Sequence, residues 1–173
     1  MIVLGEATPF WVLSLAFWLH MLATVIWIGG LVALVVIVLP AAQRTLTKAS
    51  YAQLLGQIQH RLDPLAWLSL IVLLITGLFQ LSANPNYEGF LNFSNRWAIT
   101  ILIKHILFLG MIGISAYLTW GVFPSLRRIA LLQAKGLEPE QAEELQRREA
   151  LLLRINLVLG ILILGCTALA RAA

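Results

Sequence analysis

Residues 9–40 read PFWVLSLAFWLHMLATVIWIGGLVALVVIVLP, a stretch without a single Lys, Arg, Asp or Glu and with prolines only at its two ends. A helix needs about 20 consecutive apolar residues to cross a bilayer, and helices tolerate proline at their ends. This segment is therefore read as a first membrane span over 9–40, with Trp11 at one interface. The N-terminal MIVLGEATPF has no Lys or Arg, and the apolar run far exceeds the h-region of a signal peptide, so the segment is expected to be retained as a span.

Working outward, three more stretches have the same character: 64–82, 97–123 and 150–171. The whole 173-residue chain is 60% hydrophobic and only 12% charged, and its mean hydropathy is +0.88. No soluble domain needs that composition to cover a core, so lipid is the solvent for most of the chain. One domain over 1–173 is expected: an all-α integral membrane protein, a four-transmembrane-helix bundle of up-down-up-down order. No internal repeat or low-complexity tract is evident.

The connections decide orientation. Residues 41–63 carry Arg44, Lys48 and Arg61, and residues 124–149 carry Arg127, Arg128, Lys135, Arg147 and Arg148, with Arg154 just beyond. The second connection, SANPNYEGFLNFSNR, has Arg96 alone. By the positive-inside rule the first and third connections face the cytoplasm, and both termini lie outside. The segment 41–62 mixes these charges with Leu46, Leu54, Leu55 and Ile58, which suits an interfacial amphipathic helix. Asp63 and Pro64 then read as N-cap and first turn of the second span. Glu138-Pro139-Glu140 reads as the start of another helix, acidic at its positive end. Its charged length up to Arg154 is a candidate surface for a protein partner or a second copy of the chain.

The net charge of +4 and pI near 9.7 are distributed over turns, so topology accounts for them and no nucleic acid is called for. The single Cys166 cannot form an internal disulfide and reads as a small packing residue.

Ionisable residues within a bilayer are costly and default to functional hypotheses. His20 lies roughly 15 Å below the start of the first span and His105 roughly 12 Å below the start of the third. Both spans run in the same direction, so the two imidazoles share a depth. In an up-down-up-down bundle the first and third helices face one another across the core, the arrangement that axial ligation of haem b requires. His20 and His105 are thus candidate haem ligands. Thr24 and Trp27 continue the His20 face with Ala23 and Leu31, and Lys104 and Arg96 are placed to meet propionates. The plain alternative is that each histidine bonds a carbonyl one turn away and only packs. Gly29 and Gly30 permit close helix approach. Lys104 could instead snorkel, and His60, beside Arg61, reads as interfacial. Copper is the competing metal, with Met21 and Met111 joining the two histidines and Cys166 as a further soft donor. No Walker loop, dinucleotide fingerprint, nucleophile elbow or H-E-x-x-H motif is present, so nothing supports ATP-driven transport or hydrolysis.

LHMLATVIWIGGLVALVVIVLPA resembles the first core helix of the CopD-type copper-resistance membrane proteins, with its His followed by Trp-x-Gly-Gly. RLDPLAWLSLIVLLITGLFQL is similar to that family's second helix, ending in Thr76-Gly77, and LIKHILFLGMIGISAY to its Lys-bearing third. The likeness covers roughly residues 12–120 and implies copper uptake or tolerance. The related HemJ-type protoporphyrinogen oxidases are similar at the positions of His20 and Lys104 and are associated with haem. The basic and aromatic run that follows Trp-x-x-Gly in that group is absent here, where the chain reads LVALVVIVLP.

Three functions follow for a multi-pass protein of the plasma membrane. The first is a haem b protein moving electrons or serving a redox complex, a binding subunit rather than a stand-alone enzyme. The second is a copper-handling protein, and the third a structural or assembly subunit without cofactor.

Overall fold

A computed structural model describes residues 9–85, 87, 89, 96–134 and 142–172. The regular elements among them are helices: α1 (Phe10–Val32), α2 (Leu39–Thr45), α3 (Lys48–Ser82), α4 (Arg96–Tyr117), α5 (Phe123–Ala134) and α6 (Ala142–Ala172). A π-helical segment, Ala33–Val38, joins α1 to α2, and a second, Leu118–Val122, joins α4 to α5. Four rods result that are long and apolar enough to cross a membrane: Phe10–Thr45, Ser50–Ser82, Arg96–Leu132 and Ala142–Ala172. The four-span, all-helical expectation holds.

Two local expectations do not hold. Residues 41–62 do not form a separate interfacial helix, and Asp63-Pro64 does not open a new one. Helix α3 runs unbroken from Lys48 to Ser82 with Pro64 inside it, and its start is marked by Thr47, whose hydroxyl accepts from the Ser50 amide. Tyr51, Leu55 and Gln59 recur at one-turn spacing and are buried. Burying Leu55 contributes about 1.5–3 kcal/mol, against the roughly 3 kcal/mol that an interior proline costs.

The charged segment before the fourth span packs by one face and leaves Glu143, Arg147 and Arg148 exposed on the other. It is the first part of α6, and its Ala142, Glu149, Ala150 and Leu153 are buried. Part of that face is taken by the chain's own Gln59 on α3. The helix start expected at Glu138-Pro139-Glu140 lies outside the described residues, as does most of the Asn-rich connection.

Helix α1 packs along α3, α4 along α6, and α6 closes onto α1. Side-chain pairs set the antiparallel registers. Gln80 donates to the Ala16 carbonyl, Asn156 to the Ser115 hydroxyl, and the Arg171 guanidinium lies 5.3 Å from the Phe17 ring centre. The diagonal pair α1 and α4 meets where the Trp27 indole N–H donates to Met111 Sδ at 3.3 Å. The densest core lies toward the end that carries the basic connections, around Leu39, Leu55 and Val122. Trp18, Met21, Val25, Ile106 and Leu109 are exposed on the bundle surface, as side chains facing acyl tails are.

Candidate functional site

Helix α1 delivers His20 half-buried to its seam with α3. There its Nδ1 lies 2.8 Å from Thr76 Oγ1. The Thr76 hydroxyl already donates its proton to the Val72 carbonyl at 2.6 Å, so it can only accept from His20. That assigns the imidazole proton to Nδ1 and leaves the Nε2 lone pair available. A histidine whose second nitrogen donates to a fixed acceptor is oriented as metal-binding histidines are.

The α3 backbone closes on the same ring. A Cβ built on Gly77 would stand 3.5 Å from His20 Cε1, an ordinary contact. Gly77→Ala should therefore change stability by less than about 1 kcal/mol, whereas Gly77→Ile should drive the ring off Thr76 and cost about 1–3 kcal/mol. Thermal unfolding in detergent measures both.

Two groups from the other helix pair reach this level. Lys104 on α4 is half-buried at this depth. The Ser115–Asn156 pair sets an α4–α6 register that brings Cys166 level with Lys104. Cys166 is a free, half-buried thiol. By depth the level thus holds two imidazoles, a thiol and an amine, drawn from three helices.

The partners expected for His20 lie elsewhere. His105 Nδ1 donates to the Ile101 carbonyl of its own helix at 2.7 Å, a bond made within α4. Thr24 turns its hydroxyl back onto the His20 carbonyl, so it is engaged within α1. Trp27 is buried, but its indole is engaged with Met111 rather than lining a slot at His20. Met21 is 60% exposed on the outer surface of α1, away from the bundle interior, and Arg96 and His60 are exposed as well.

A haem between His20 and His105 needs a flat slot across the bundle at their depth. The cavity seen among the described residues lies about two turns further toward the basic end, and neither histidine lines it. The residues present give bis-histidine haem ligation no support. Among the described residues no group of three or more His, Cys, Asp or Glu gathers into a multidentate site either.

Sequence reading missed a second polar region, nearer the basic end. The Gln59 amide donates to Glu149 Oε1, linking α3 to α6, and both side chains are buried, Glu149 at 0% exposure. The Trp67 indole donates to Thr119, whose hydroxyl donates to Asp63 Oδ1. Asn156 and Ser115 join α6 to α4. An asparagine inside the fourth apolar run was the available signal, since polar groups within spans seek interhelical partners. Glu149 gave none, because it reads as one more charge on a solvated face.

The family model described as "Copper resistance protein D" matches residues 56–170. No curated protein and no solved structure matches the chain.

Proposed function

The chain belongs to the copper resistance protein D family, and we propose that it handles copper as cargo inside the membrane, bound transiently at the level of His20. Cuprous ion favours thiolate and imidazole donors, and of the donors at this level His20 Nε2 and Cys166 Sγ are assigned to it. The observation that carries the reading is the fixed His20–Thr76 pair, which leaves Nε2 unprotonated and aimed by a second helix. His105 and Met21 take no part in this assignment, and Met111 acts by holding Trp27 beneath the site.

In this multi-pass protein of the plasma membrane, the basic connections face the cytoplasm by their charge. The His20 level then lies in the outer half of the bilayer, and copper reaches it from the non-cytoplasmic side. The Lys104 ammonium opposes a bound cation. Lys104→Leu is accordingly expected to retain copper longer, while His20→Ala loses it.

Copper accumulation and tolerance of cells expressing each variant test the function. Wild type should shift both relative to vector alone, His20→Ala and Cys166→Ser should match vector, and His105→Ala should match wild type. Equal behaviour of wild type and His20→Ala at equal membrane abundance would overturn the reading.

A further inference from the structure

The cavity near the basic end, about 90 Å³ in volume, is lined by Trp27, Trp67, Phe123, Asp63, Thr119 and Asn156 together with aliphatic side chains. Cavities of about 150 Å³ in protein cores take up benzene; this one is smaller but open at its edge, so a ring seated in it would protrude toward the opening. Its edge is formed in part by Ile26 and Leu65, which are 42% and 47% exposed on the surface of the bundle. That edge faces the acyl chains, and a ligand can enter from the bilayer without crossing water.

The polar groups of the cavity leave one buried acceptor unmade. The Ser115 hydroxyl donates to the Met111 carbonyl, so it accepts from Asn156 Nδ2 and fixes which end of that amide is oxygen. Asn156 Oδ1 then has no partner on a side chain only 1% exposed. The Trp67 N–H is spent on Thr119, and the Thr119 hydroxyl on Asp63, while the Trp27 N–H is spent on Met111. Asn156 Nδ2 and Gln59 Nε2 each spend one N–H, on Ser115 and Glu149, and Asn156 Oδ1 is the buried acceptor left over. A buried acceptor left unmade costs about 1–3 kcal/mol, and a ligand supplying an O–H recovers it.

We propose that this cavity binds a lipid-soluble aromatic alcohol of the hydroquinone class, its ring between the tryptophans and one hydroxyl donating to Asn156 Oδ1. The aromatic walls select a flat ring over an acyl chain, and the orphaned acceptor selects the hydroxylated form over one that can only accept. The proposal is independent of the copper reading, because it concerns a different level of the bundle.

Tryptophan fluorescence of the full-length protein in detergent, titrated anaerobically with a decyl-substituted hydroquinone and with its bis-methyl ether, tests it. Wild type should show saturable quenching by the hydroquinone and bind the ether about tenfold more weakly, the worth of one hydrogen bond. Asn156→Leu should bind the two alike, Asn156→Asp should keep the preference, and Ala66→Phe, which fills the cavity from α3, should abolish both. Equal binding of hydroquinone and ether by wild type would overturn the proposal, as would a preference that survives in Asn156→Leu. Displacement by a monoacylglycerol at equal concentration would also overturn it, by marking the cavity as a lipid groove.

Discussion

Gln59→Leu is expected to lower the unfolding free energy of the detergent-solubilised chain by about 3 kcal/mol, while the double variant Gln59→Leu/Glu149→Leu recovers most of that loss. Interhelical hydrogen bonds in membranes average only about 0.6 kcal/mol, so removing an ordinary one would hardly register. This pair differs because Glu149 is 0% exposed and its Oε2 already lacks a partner. Removing the Gln59 amide strands a carboxyl group with no hydrogen-bond donor on either oxygen. Removing both partners leaves two leucines of suitable shape between α3 and α6, and buried polar pairs replaced in that way are often neutral or stabilising. Equal destabilisation by the single and double variants would show that the pair contributes shape rather than hydrogen bonding.

The second large effect concerns the metal. His20→Ala should abolish copper retention, since it removes one of two assigned donors. Thr76→Val should weaken retention about 10–100-fold, the usual consequence of losing the group that orients a ligating histidine. The valine keeps the volume beside the ring but removes the acceptor for Nδ1–H, so the imidazole loses both its fixed tautomer and its aim. His105→Ala is the internal comparison. It deletes an equally deep histidine whose Nδ1 is satisfied by its own helix, and it should leave copper binding unchanged.

The spans were legible because hydrophobic length is a one-dimensional quantity: residues 9–40 or 151–170 need no partner to be recognised. Helix continuity was not legible at Pro64, where a local rule for proline lost to the burial of Tyr51, Leu55 and Gln59 on one face, visible only once the neighbouring helices are in place. At the site, depth was legible in the sequence and azimuth was not. Counting 1.5 Å per residue places His20 and His105 at one level, but adjacent positions on a helix point about 100° apart. A small rotation of α4 therefore decides whether Lys104 or His105 faces the interior. In the structure both Lys104 and His105 are half-buried on α4. Cys166 was underrated for the same reason, because its approach to Lys104 depends on the α4–α6 register, and that register is set by Asn156 and Ser115.

The most direct test is the metal content of the purified full-length protein after loading with cuprous ion under reducing conditions and removal of excess, with an absorption spectrum of the same sample. The account predicts near-stoichiometric copper in wild type and His105→Ala, its loss in His20→Ala and Cys166→Ser, and no haem absorption. Copper retained equally by His20→Ala would contradict it, as would a sharp reduced haem band that disappears in His105→Ala.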